Sequence, residues 1–219
     1  MSDKEEKKVS QGFDRGVDYK PMKKRLIAEY KRLIDIMLNM DEEKKNYIAK
    51  RRLTIHKIIY LIISMIQLRN GSRISEACKA FKLFLDADIN DKVLVKISKS
   101  ETTKKKKDTG EEYVTKIRHR KMMFPKDWID TDIENLMESM KFYLKNITQE
   151  RLRKRVLDYL LLNFECNTHS LRYAFINYML YDLKRPMTDV AKFVGHSNIN
   201  QLLTYTQLKN TEQIFDMDI

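Results

Sequence analysis

The chain has 219 residues, with 43 Lys plus Arg against 31 Asp plus Glu and a net charge of +12; at 42% hydrophobic it can build a core, which excludes disorder throughout. Only five Gly and three Pro argue against turn-rich sandwiches and barrels and for long helices. Cys78 and Cys166, with no CxxC or Cys/His spacing, support neither a disulfide scaffold nor a zinc site.

In chain order, residues 1–19 are polar, interrupted by Gly12 and Gly16, and read as a flexible N-terminal tail. No apolar h-region follows the charged start Met1 to Lys8, so no secretory signal is visible and an intracellular protein is expected. From Pro21 to Met40, Leu26, Ile27, Tyr30, Leu33, Ile34, Met37 and Leu38 recur at helical spacing. A second helix is expected from Asp41 to Leu68, with a break near Arg51 and a stop at Arg69-Asn70-Gly71. Its run Ile58 to Ile66 is too short to span a bilayer and reads as a buried core helix. Ser72 then offers an N-cap to a helix beginning at Arg73.

The middle of the chain alternates apolar and polar residues at Lys92 to Ser98 and again at Tyr113 to Arg118. This predicts a β-hairpin with a long basic loop, Lys99 to Glu112, closed by Pro125; a strand near Phe81 to Leu85 would complete a small three-stranded antiparallel sheet. Helical patterning resumes over Thr131–Leu144 and Thr148–Phe164, and a further helix starts near Asn167 or Thr168. Pro186 opens a short helix that Gly195 ends, Ser197 or Asn198 caps another towards Tyr205, and Thr206 to Ile219 form a terminal helix or tail. The fold class is α+β, mainly helical: residues 20–219 make one domain, with a basic helical segment at 20–50, a core at 51–206 and a C-terminal tail at 207–219.

The charge is not spread evenly. Residues 20–57 carry a net +7 and residues 92–126 a net +8, while residues 127–219 are slightly acidic at −2. Two basic blocks suit a protein that meets a polyanion with particular surfaces, so nucleic acid is the leading partner; a solvated Lys-rich surface is the plainer alternative.

Three clusters place polar residues where a simple core helix would not. Gly71-Ser72-Arg73-Ile74-Ser75-Glu76 puts a cation in the first turn of a helix, against the helix dipole, a conflict that a bound anion would relieve. His169-Ser170-Leu171-Arg172 puts a histidine and an arginine three apart on one helix face, so that one anion can touch both. Gly195-His196-Ser197 marks a helix junction, with Tyr205 nine residues after the histidine. Taken singly, each has a plain structural explanation.

Together and in this order, these boxes resemble those of the tyrosine recombinase, or phage integrase, family, over roughly residues 50–210. The family pattern is G-x-R-[IVL]-S-E, a hairpin lysine, H-x-x-R, L-G-H and a nucleophilic tyrosine nine residues on; this chain has Val194-Gly195-His196 at the fourth box and Leu203-Thr204-Tyr205-Thr206 around the tyrosine. The resemblance implies a tyrosine-recombinase-like catalytic domain and DNA strand breaking and rejoining through a 3′-phosphotyrosine intermediate, with no metal, ATP or other cofactor. It implies catalytic roles for Arg73, Lys99, His169, Arg172, His196 and Tyr205, with Tyr205 as nucleophile. Arg73 and Arg172 would clamp the phosphoryl oxygens, His169 would be the base, His196 a hydrogen-bond donor, and a hairpin lysine the general acid. Lys99, after Ser98, fits the family's placement best, with Lys104 to Lys107 as alternatives. Lys104, Lys105, Lys106, Lys107, Arg118 and Arg120 are otherwise expected to contact DNA.

The implied partners are double-stranded attachment sites and further copies of the chain, as a tetramer on DNA in which Ile214-Phe215 could anchor on a neighbour or on the protein's own core. A type IB topoisomerase, or a non-cleaving DNA-binding protein with this fold, are the other readings. Lys and Ile enrichment, with the family resemblance, suggests a virus or mobile element. Recombinases usually carry a separate DNA-clamp domain before the catalytic one; either this chain is a catalytic-domain piece or the basic helix Pro21–Met40 takes the clamp's place.

Overall fold

Helix α2 (Tyr47–Asn70) is the axis of the molecule: α1 (Tyr19–Leu38), α3 (Ile74–Asp86), α4 (Glu134–Lys145), α5 (Gln149–Phe164) and α6 (Thr168–Asn177) all pack against it. The computed structural model describes residues 17–43, 45–87, 92–97, 103–105, 108–114, 117–129, 134–196, 200 and 202. Every residue from Ile58 to Leu68 is buried, which is why this stretch is apolar on all faces rather than on one stripe. The helix runs unbroken through Arg51, since no Gly or Pro interrupts it. It ends where the sequence indicates, at Gly71 in the left-handed conformation (φ 54°), whose N–H donates to the Gln67 carbonyl. No described helix is long and apolar enough to cross a membrane.

Helix α1 turns Met22, Leu26, Tyr30, Leu33 and Ile34 onto the same core as α2, so the basic N-terminal helix is packed into this body. At its start, Tyr19 stacks on Tyr178 at 4.2 Å and meets Trp128 and Phe175 edge-on.

The three-stranded sheet is corrected by the structure. Phe81 to Leu85 lie in α3, where Ala77, Cys78, Ala80, Phe81, Phe84 and Leu85 form one buried helical stripe; two phenylalanines three apart satisfy that period better than a strand's. Among the described residues there are two two-stranded antiparallel sheets. Strand β1 (Lys92–Lys96) pairs with β4 (His119–Met123), and β2 (Thr103–Lys105) pairs with β3 (Glu112–Val114). The return strand at the sheet's base is therefore 119–123 rather than 113–118. Its inward positions are Arg120 and Met122, and a charged residue in the inward register hides the alternation that marks a half-buried strand.

A short 3₁₀ turn (Lys126–Trp128) leads from β4 towards α4, and a π-helical turn (Tyr178–Asp182) follows α6 before α7 (Met187–Val194). The large core around α2 is joined by a smaller cluster, Tyr173, Phe175, Ile176, Val190, Ala191, Val194 and Leu202, between α6 and α7. The expected terminal helix or tail, Thr206 to Ile219, and the Ile214-Phe215 anchor lie outside the described residues.

Candidate active site

Three of the sequence boxes converge where the C-terminus of α2, the N-terminus of α6, the C-terminus of α7 and the base of the β1/β4 pair meet. Arg172 makes the junction. It is almost wholly buried; one Nη donates to the Gly71 carbonyl and the other to the Val194 carbonyl at 3.1 Å, so one planar guanidinium joins the first box to the residue before Gly195-His196. Gln67 makes a parallel link that the sequence reading missed. Its buried amide N–H group donates to Ser72 O at 3.1 Å and to Thr168 O at 2.7 Å, binding the first box to the start of α6. A glutamine inside an apolar run is the signal that could have found it.

The helix start at α6 is built by Asn167, whose side-chain oxygen accepts from the N–H groups of His169 (2.7 Å) and Ser170 (3.0 Å). This fixes the turn that carries both residues of the H-x-x-R box, with Arg172 inside and His169 exposed at the rim. Their spacing of three thus spans from the buried floor to the solvent edge.

At α3 the cap is Arg73 rather than Ser72. Glu76, wholly buried, accepts from the Arg73 backbone N–H at 3.3 Å and pairs with its guanidinium at 3.3 Å. The carboxylate offsets the unfavourable placement of a cation at the helix N-terminus. Its other oxygen lies 3.7 Å from Nη1 of Arg120. Arg120, expected to contact DNA, is instead buried within this cluster, with Nη2 donating to the Asn70 carbonyl, while Arg118 is half-buried.

His196 is 9% exposed, and burial together with the nearby Arg172 and Arg73 charges pushes its imidazole down to about 4. It is therefore neutral at pH 7, with one N–H to give and one nitrogen to accept. The unfolded chain's histidine takes up a proton near pH 6.5 whereas the folded one refuses it until about pH 4, so stability is present above pH 6.5 and lost as pH falls through that window. We expect His196 to cost the fold about 2–3 kcal/mol between about pH 7 and pH 4. Urea unfolding at stepped pH should find the stability difference between wild type and His196→Asn shrinking towards pH 4; a pH-independent difference would contradict a neutral, buried His196.

Two glycines permit the close packing. Gly71 has φ +54°, and a Cβ there would sit 2.2 Å from Cδ1 of Phe175; Gly195 has φ +76°, with Ile97 Cδ1 3.0 Å from its would-be Cβ. Ile97 follows β1, so this contact sets the hairpin base against the Gly195-His196 turn. Gly71→Ala should lower stability by at least about 2 kcal/mol and the melting temperature by roughly 4–8 °C. Calorimetry checks it, and an unchanged melting temperature would mean Phe175 does not press on this turn.

The structure thus brings Arg73, Arg172 and His196 together, with His169 at the edge. Lys104 and Lys105 lie in β2, across from Tyr113 and Glu112. Lys99, Lys106, Lys107 and Tyr205 lie outside the described residues; Leu202, three positions before Tyr205, is buried in the cluster between α6 and α7.

No protein-family model matches the chain. The chain is 46% identical over 216 residues to "Putative integrase V10" of Sputnik virophage, a match covering 96% of this chain and 92% of that protein. It is 29% identical over 203 residues to "Putative integrase ORF241" of Acidianus two-tailed virus, covering 93% of this chain and 67% of the relative. Among solved structures it resembles the XerH site-specific recombinase in a post-cleavage complex with its palindromic difH substrate, with a TM-score of 0.50 at 14% identity; the match covers 96% of this chain and 55% of that one. That likeness is one of fold, while the similarity to the virophage protein runs nearly end to end. The ordered boxes, their convergence on Arg172 and these relatives lead to one conclusion: the chain belongs to the tyrosine recombinase, or integrase, family.

Proposed function

We propose that this protein is a site-specific tyrosine recombinase that cuts and rejoins double-stranded DNA at attachment sites, inside the cell where that DNA lies, in the service of a viral or mobile genome. The observation that carries the reading is the Arg172 fork, which holds the Gly71-Ser72-Arg73 and Val194-Gly195-His196 boxes against each other. Two guanidinium groups and a neutral imidazole collected in a largely buried site suit a phosphodiester, whose non-bridging oxygens accept bidentate hydrogen bonds.

In the proposed reaction the Tyr205 oxygen attacks phosphorus, and the bond from phosphorus to the 5′-oxygen breaks. The tyrosine proton passes to His169, and Lys99 supplies a proton to the leaving 5′-oxygen. Arg73 and Arg172 hold the non-bridging oxygens while charge builds on them, and His196 donates its N–H to one of these oxygens. The phosphotyrosine keeps the energy of the ester, so a 5′-hydroxyl from another strand can reverse the attack without ATP or metal. Strand exchange between two sites calls for four active sites, hence a tetramer on DNA. Lys104 to Lys107 and Arg118 would contribute salt-dependent backbone affinity.

The test is covalent capture. The protein is incubated, with a chelator present, with end-labelled duplexes of randomised sequence, each nicked so that cleavage releases a short fragment. A labelled adduct should survive a denaturing gel, and its DNA can be amplified to give the preferred site. Binding without any adduct would overturn cleavage and leave a DNA-binding protein; loss of the adduct on chelation would overturn the metal-free mechanism.

A further inference from the structure

Arg120 is only 7% exposed, on the inward face of β4 opposite Val95. It lies where three parts of the site meet. Nη2 donates to the carbonyl of Asn70, just before the first box; Nη1 is 3.7 Å from Oε2 of Glu76; and the guanidinium carbon sits 5.3 Å from the ring centre of Phe193, three residues before His196. Asn70 is itself clipped to β4, its amide N–H donating to Met123 O at 2.9 Å and its oxygen accepting from Met123 N–H at 2.8 Å. Nε and Nη1 of Arg120 are buried without a hydrogen-bond partner. Burial pulls this guanidinium down to about 10, so it remains a cation at neutral pH, close enough to Arg172 and Arg73 to feel both charges.

Charge balance gives this arrangement a consequence. Arg73 and Arg120 take opposite oxygens of one buried carboxylate. Among the described groups gathered here, three guanidiniums, with Arg172, and one carboxylate leave two net positive charges, His196 being neutral. Without Arg120, Glu76 would cancel most of the charge of Arg73 and leave one. A bound phosphodiester carries one negative charge, and attack by a tyrosine oxygen that has lost its proton adds a second. We propose that Arg120 is a positioning residue for strand cleavage: by sharing Glu76 it keeps Arg73 directed at the phosphate and leaves the site with the second positive charge that only the transition state needs. This rests on the recombinase reading above. Arg120 therefore acts on the rate of cleavage and hardly on DNA affinity.

The test uses the duplex recovered by covalent capture, made once with the natural scissile phosphodiester and once with a methylphosphonate there, which removes one negative charge. On the phosphodiester, Arg120→Met should form adduct about 10²-fold more slowly than wild type with DNA affinity within about 3-fold; on the methylphosphonate the variant's deficit should shrink to under about 5-fold. An equal deficit on both duplexes would mean a merely structural role, and no deficit on the phosphodiester would mean none; either overturns the proposal. Arg120→Lys keeps the charge and decides the matter if Arg120→Met fails to fold: its rate should stay within about 10-fold of wild type, and a loss of about 10² overturns the electrostatic role. A wild type that never captures DNA would remove the recombinase reading and this inference with it, whereas capture by wild type with full-speed Arg120→Met removes this inference alone.

Discussion

Tyr205→Phe should abolish covalent DNA capture, lowering adduct formation by at least about 10⁴-fold while leaving DNA binding within a few-fold of wild type. The change removes one oxygen, the atom proposed to attack phosphorus, and keeps the ring. Leu202, three residues earlier, is buried in the cluster between α6 and α7. Single-turnover capture and a gel-shift titration on one duplex separate the two quantities. An adduct that persists in Tyr205→Phe would place the nucleophile on another side chain.

Arg172→Ala should damage both stability and chemistry. In the folded protein its two Nη groups satisfy the buried carbonyls of Gly71 and Val194, and truncation leaves both without this donor. We expect a loss of about 3 kcal/mol in urea unfolding and at least about 10³-fold in capture rate measured below the variant's melting temperature. Arg172→Lys separates charge from fork. A single ammonium cannot reproduce a planar fork spanning two carbonyls, so capture should still fall about 10²-fold although the cation is kept. An Arg172→Ala protein as stable as wild type would refute the role of this side chain in joining the boxes.

The helices and the site were legible to different degrees, for identifiable reasons. Helix ends at Gly71 and Gly195 were readable because left-handed turns favour glycine, and the cap at Asn167 because its side chain accepts from helix N–H groups. The boxes were readable because the chemistry fixes residue types at short spacings. What holds the boxes together was not. Gln67 and Glu76 act over tertiary contacts, and Arg120 reaches the cluster from a strand far along the chain. Bulk charge misled in one respect: Arg120 counts towards the +8 of residues 92–126, yet it lies beneath the surface, paired with Glu76. The expected strand at Phe81–Leu85 failed because a short apolar run is ambiguous in period, and the surrounding alanines and Cys78 extend it as a helical stripe.

The most direct measurement of the central claim is the chemical identity of the captured adduct. The wild-type complex is trapped on the nicked duplex in chelator, digested with trypsin and nuclease, and analysed by tandem mass spectrometry, while the released strand is tested for its end group. A phosphodiester joining the Tyr205 oxygen to a 3′-nucleotide, with a free 5′-hydroxyl on the released strand, is the result expected. A linkage to a 5′-nucleotide, or to any residue other than Tyr205, would contradict it.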